Sequence, residues 1–297
     1  MRTAFLLTAF SLCWSLTSGQ APGSASLWRV SAASLTRPPA LETGPVGIAW
    51  NPAAPLEQSR LSASVQLVQS SDIVGLSSIL AGVSHAIGSS ARIGLSGGRV
   101  DVRDLVRTTS SPTSLGTIPV YEQFIGLGGQ YQIRGLVVGV LARYHGARFD
   151  SERDEGFTFD VGARFQAFSR LTIAAATHFL AIELGGRETT DCYAGAEYLA
   201  TPNWSIGRVA AHVLLRYGAT YSASEQLEHM VGGGLELGSH FRLDLSLAHE
   251  AGYQSSGWRP AMAISVLIGK YQLGFARSSG LNGLGATYRI GLDARLF

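Results

Sequence analysis

Nine charged residues recur at even steps inside otherwise apolar runs: Asp160 and Arg164, Arg208 and Arg216, Arg242 and Asp244, then Arg289, Asp293 and Arg295. In an extended chain, residues two or four apart point to the same side. Each set therefore shares one face with hydroxyl, amide and glycine positions and leaves the other face apolar. Acids and bases at this spacing can line a polar passage and guide a solute. They can instead pair with one another and with a segment lying against them, and we take pairing as the leading reading. Nothing arranges them for covalent chemistry. The chain has no Gly-x-Ser-x-Gly elbow, His-Glu-x-x-His helix, phosphate-binding loop or paired-cysteine metal pattern. Its histidines are scattered; His212 and His249 read as polar strand residues, and the Ser246 and His249 spacing rises no higher than chance. No enzyme activity, cofactor or metal is expected.

Such residues need elements with two unlike faces, and the chain from Arg60 onward supplies them. Leu61, Ala63, Val65 and Leu67 alternate with Ser62, Ser64 and Gln66. Phe157, Phe159, Val161, Ala163 and Phe165 alternate with Thr158, Asp160, Gly162, Arg164 and Gln166. The same period of two recurs in about fourteen segments, starting near residues 60, 75, 90, 119, 135, 156, 170, 189, 204, 225, 241, 258, 269 and 284. An apolar face on every strand would need a second apolar layer in water, whereas lipid supplies one. The polar face must then line a lumen, and the ring must close, because an unpaired edge in hydrocarbon costs several kcal/mol per group. The expected fold class is all-β: a single closed antiparallel transmembrane β-barrel of about 14 strands.

The connections alternate in length as a membrane barrel requires. Short links are expected at Ile87 to Ser89, Gln132 to Gly135, Ser169-Arg170, Ala200 to Asn203, Gly238 to His240 and Gly269-Lys270. Longer polar stretches alternate with them, among them Arg107 to Ile118 and Gly146 to Gly156. Aromatic residues stand at segment ends, where membrane interfaces favour them. Thirty-six glycines with only 15% charged residues suit lipid contact, and a net charge of +2 offers no footprint for nucleic acid.

Ahead of the strands, residues 1–19 read as a signal peptide: a basic start, an apolar run from Ala4 to Leu16, and small residues at Thr17-Ser18-Gly19. With Cys13 inside that run, Cys192 alone would remain, too little for a disulfide-stapled scaffold. Residues 20–59 are rich in proline and lack alternation, so they should be irregular; residues 60–297 form the barrel. A ring of this size is too wide for wall side chains to fill. The irregular segment is the one candidate within the chain for a hatch.

The stretch Thr43-Gly44-Pro45-Val46-Gly47-Ile48-Ala49-Trp50-Asn51-Pro52-Ala53, directly before the first strand, resembles the small-residue stretch ending in Asn-Pro-Ala of long-chain fatty-acid transporter (FadL-type) proteins and the related PorV/PorQ family. The resemblance implies a fourteen-stranded barrel of the Gram-negative outer membrane with an inward-folded N-terminal hatch that includes Asn51, Pro52 and Ala53. It also implies passive passage or uptake of small, hydrophobic molecules. A PorV-like accessory barrel that binds proteins of a secretion system is the alternative, which the short outer loops suit. Outer-membrane lipid is an expected partner. The barrel insertion machinery is another, through a last strand ending in Phe297.

Overall fold

The computed structural model describes residues 27–55, 59–108, 115–178, 191–202, 204–221, 227–252, 255–280 and 285–296. Residues 1–19, read above as a leader, and Phe297 lie outside the described residues. Before the strands come α1 (Trp28–Ala33), a 3-10 turn (Pro39–Leu41) and the single-turn α2 (Gly44–Gly47). The strands follow in order: β1 (Leu61–Gln69), β2 (Leu76–Ile87), β3 (Ala91–Val102), β4 (Val120–Ile133), β5 (Leu136–Phe149), β6 (Glu152–Phe168), β7 (Leu171–His178), β8 (Asp191–Leu199), β9 (Trp204–Ile206), β10 (Val209–Tyr221), β11 (Leu227–Leu237), β12 (Phe241–Gly252), β13 (Ser255–Ile268), β14 (Tyr271–Ser279) and β15 (Ala286–Arg295).

Strands adjacent in the chain pair antiparallel, except that β8 and β9 both pair with β10, and β1 pairs with β15 through Val65↔Leu292 and seven flanking positions, which closes the ring. One edge of β10 meets β11 along residues 211–221; the other meets β8 along residues 214–221 and β9 along residues 209–211. Since a strand edge serves one neighbour at a time, β8 and β9 are two pieces of one column. The wall therefore has fourteen columns.

The tight turn of this column differs from the sequence expectation. It lies at Gly207-Arg208, where Gly207 adopts φ +63°, and not at Ala200 to Asn203. Pro202 was the misleading signal. It interrupts the ladder without ending the column, because the Thr201 hydroxyl accepts the Val213 amide at 2.8 Å where a main-chain partner is missing. The Gly146 to Gly156 stretch also departs from a loop. Its residues continue β5 and β6 as a paired hairpin around Asp150-Ser151, with Phe149 opposite Glu152. Beyond the membrane water wets both faces, so a ladder persists there without apolar alternation.

The alternating faces separate as their chemistry demands. Val65, Leu127, Val140, Val161, Leu215, Leu245 and Ile290 point outward and are exposed. Exposed aromatics form two belts: Phe157, Tyr217, Trp258 and Tyr288 toward the loop rim, and Tyr131, Phe168, Tyr198 and Tyr271 toward the tight-turn rim. Along β6 the belts stand eleven residues apart at Phe157 and Phe168, which for a tilted strand spans about 25 Å, the height of a lipid-facing band. Val161 lies near mid-height. Val161→Arg should lower folding stability by about 2–4 kcal/mol in lipid, read from urea titrations in vesicles. The same change at Phe149, exposed beyond the belt, should cost under about 1 kcal/mol. Equal costs at both sites would contradict this placement of the membrane.

Candidate functional site: the plugged lumen

Residues 27–55 sit against the inner wall on most sides. Notches in that wall receive them: one is Gly82 of β2, where a methyl group would stand 2.5 Å from the Pro45 carbonyl oxygen, and two more are paired glycines. Gly139 of β5 and Gly162 of β6 are direct cross-strand partners on the inner face, and a methyl group built on either would stand 2.1 Å from the Pro52 carbonyl oxygen or 2.0 Å from Asn51 Oδ1. Gly195 of β8 and Gly218 of β10 are likewise partners. There the added carbons would meet Leu41 Cγ at 2.7 Å and Pro38 Cβ at 2.4 Å. Only a wall without side chains lets the inner segment approach this closely.

Asn51, Pro52 and Ala53, placed in the hatch by resemblance, form a tight turn at the notch of Gly139 and Gly162. Asn51 is fully buried; its Oδ1 accepts the Ala53 amide at 2.9 Å and its Nδ2 donates to the Ala40 carbonyl at 2.6 Å. This is the Asx-type turn that asparagine supports. It also ties the 3-10 turn to the end of the segment. Above the turn, Ala49 offers its carbonyl to two wall residues, the Arg143 guanidinium and His178 Nε2, the latter at 3.0 Å. Arg143 Nε in turn donates to Asp160 Oδ2 at 2.6 Å, and both side chains are wholly buried. Toward the loop rim, Trp28 meets Phe124 edge-on at 4.9 Å in an apolar cluster with Leu35, Val46, Trp50, Leu80 and Val100.

A second polar group joins wall to wall. Arg216 donates through Nε to Glu197 and through Nη1 to Asp244, each at 2.6 Å. Arg242 reaches Asp244 at 2.8 Å and Glu236 at 2.9 Å, while Arg164 faces Glu197 at 3.8 Å. Toward β12 and β15 the ion pairs between the described inner segment and the wall are long. Arg37 Nε stands 3.6 Å from Asp244 Oδ2, and Glu42 Oε1 stands 4.0 Å from Arg289 Nη1. Between these two bridges lies a polar cavity of about 100 Å³, reaching Gln66, Ser265, Gln272 and Asp293.

Seven of the nine charged residues singled out in the sequence are thus on the inner face: Asp160, Arg164, Arg216, Arg242, Asp244, Arg289 and Asp293. Arg208 is corrected: it is exposed in the tight turn after β9, because the strand it was assigned to begins one residue later. Arg295 has the inner phase but is exposed at the last position of β15, at the rim. Arg143, Glu197, Arg37 and Glu42 were not singled out. Arg143 was within reach, since it falls in the polar phase between outward Ala142 and Tyr144.

A closed ring of fourteen columns, apolar outside, belted by aromatics and polar within, is built to span a bilayer. The chain is a closed transmembrane β-barrel of the kind found in Gram-negative outer-membrane proteins. No family model and no curated protein matches the sequence. Among solved structures, this barrel is similar to the Ralstonia pickettii toluene transporter TbuX, with a TM-score of 0.57 and 12% identity over 86% of this chain and 94% of that one. It is also similar to the Acinetobacter baumannii outer membrane protein Omp33, with a TM-score of 0.50 and 9% identity over 80% of this chain and 98% of that one. The shared feature at such identities is the fold.

Proposed function

We propose that this barrel passes small molecules across the outer membrane, past an N-terminal plug that remains seated on one side. The observation that carries the reading is the asymmetry of the plug's contacts. Against β5, β6, β8 and β10 the plug is close-packed into glycine notches, an arrangement that tolerates little movement. Against β12 and β15 it has two long ion pairs and a cavity. Passage along that weaker side needs no unfolding of the plug. A second reading, in which the cargo is hydrophobic, draws support from the FadL-like stretch ending in Asn51-Pro52-Ala53 and from the likeness to a toluene transporter. The buried apolar side chains of the lumen, Trp28, Trp50 and Phe124 among them, already pack on one another, and this weighs toward the first reading.

Purified protein in planar bilayers tests the proposal. The full chain should give small conductance steps, and a form lacking residues 20–58 should give steps larger by about an order of magnitude, since ion flow grows with the open cross-section. If neither form conducts nor supports osmotic swelling of vesicles, the transport reading is wrong.

A further inference from the structure

The cavity between the plug and strands β12 to β15 has an unusual charge arrangement. Its two bridging ion pairs run in opposite senses. At one, the plug carries the cation, Arg37, and the wall the anion, Asp244; at the other, the plug carries the anion, Glu42, and the wall the cation, Arg289. Both bridges are longer than a hydrogen bond, at 3.6 and 4.0 Å. Each therefore holds much less than a contact pair would. Around the same cavity, Glu42 Oε1, Gln66 Oε1, Arg242 Nη2 and Arg289 Nη1 are buried and have no hydrogen-bond partner. Glu42 is 7% exposed. Two acceptors and two donors without a hydrogen bond thus belong to side chains that line this cavity. Buried polar groups of this kind are normally satisfied, and leaving one without a partner is costly.

We infer that this cavity is a binding step for compact zwitterionic solutes, molecules of amino-acid type that carry one carboxylate and one ammonium group. The inference rests on the transport reading and names its substrate class. A zwitterion's carboxylate meets the guanidinium groups of Arg289 and Arg242, and its ammonium meets Glu42 and Asp244. The solute thereby gives Glu42, Arg242 and Arg289 the contacts they lack and exchanges two long ion pairs for shorter ones. A neutral solute of equal size offers hydrogen bonds but no charge, and an ion of one sign satisfies one bridge at the expense of the other. At about 100 Å³ the cavity admits several waters or one small organic molecule, so bulky zwitterions are excluded. Because the solute takes over the contacts that tie the plug to the wall on this side, its binding and the loosening of that side are one event.

The test compares glycine with glycolamide, its uncharged isomer, in osmotic swelling of vesicles containing the full-length protein, with empty vesicles subtracted. Glycine should enter about tenfold faster, the difference expected from one favourable charge-assisted contact pair. In the Glu42→Gln, Arg289→Gln double variant that preference should fall to about one while glycolamide entry persists. A band of unheated, detergent-resistant mobility will show that the variant barrel is closed. Equal entry of the two isomers through the unaltered protein overturns the inference and leaves the transport reading standing. So does a preference that survives in the double variant. Entry of neither solute overturns both.

Discussion

Gly162→Val should unseat the plug without opening the barrel. The first carbon of the new side chain would fall 2.0 Å from Asn51 Oδ1 and 3.0 Å from the Ala53 amide nitrogen, far inside contact distance. Gly139, the cross-strand partner, leaves no slack, since the Pro52 carbonyl fills the space beside it. The Asn51-Pro52 turn must therefore move inward, which breaks the Asn51 hydrogen bond to Ala40 and pulls the Ala49 carbonyl from Arg143 and His178. Overpacking of this kind costs about 1–3 kcal/mol before the lost hydrogen bonds are added. The seated fraction of the plug should fall by one to two orders of magnitude. The wall itself is unharmed, because valine favours strands and the ladder atoms are unchanged. Bilayer conductance should rise toward that of the form lacking residues 20–58, and protease added from the periplasmic side should cut within residues 27–55. Gly129→Val is the control: Gly129 faces outward with no neighbour nearer than the Arg92 carbonyl at 3.9 Å, so conductance should stay at the starting value. A Gly162→Val protein as silent as the parent would refute the notch.

The second large effect is expected at Arg143. Arg143→Met leaves the Asp160 carboxylate in a fully buried position without its guanidinium, and takes a donor from the Ala49 carbonyl. Removing one partner of a buried pair costs about 3–5 kcal/mol, whereas exchanging both for apolar residues is often close to neutral. The midpoint of denaturant unfolding in detergent, followed by tryptophan emission, should drop accordingly for Arg143→Met. Arg143→Met, Asp160→Leu should recover most of the loss. A single variant within about 1 kcal/mol of the parent would mean that water reaches the pair, and a double variant weaker than the single would mean that the pair contributes more than its own neutralisation.

Much of the wall was legible because lipid and lumen impose opposite chemistry on alternate residues, and segments such as Phe157 to Gln166 record that directly. Fourteen columns and the outward phase of Leu136, Val138 and Val140 follow from it. The signal fails where both faces are wet. Gly146 to Gly156 lost its alternation, so a hairpin read as a loop, and Pro202 drew the turn ahead of its place at Gly207-Arg208, which carried Arg208 into the lumen. The plug contacts were less legible for a different reason. A notch is made of what glycine lacks, and hydrophobic patterning is silent about it. The usable sign was phase and pairing: Gly139, Gly162, Gly195 and Gly218 all fall on the inner step, in two facing pairs. Arg37 and Glu42 lie among prolines without period, and only the three-dimensional path of that segment brings them to Asp244 and Arg289.

The ring is sealed by its first and last strands, through Val65↔Leu292 and its neighbours. The plug is joined covalently to the first of these strands and reaches the last through Glu42 and Arg289. Threading a finished ring from below would drag Pro38 and Leu41 past the Asn51 turn and into notches already walled off. Seating the inner segment while the seam is still open avoids that drag. On that route β15 docks last, over an occupied interior. That final pairing joins positions more than two hundred residues apart, the kind of distant closure that makes a chain slow to mature. Until it occurs, the unmated edges of β1 and β15 need shielding from other chains.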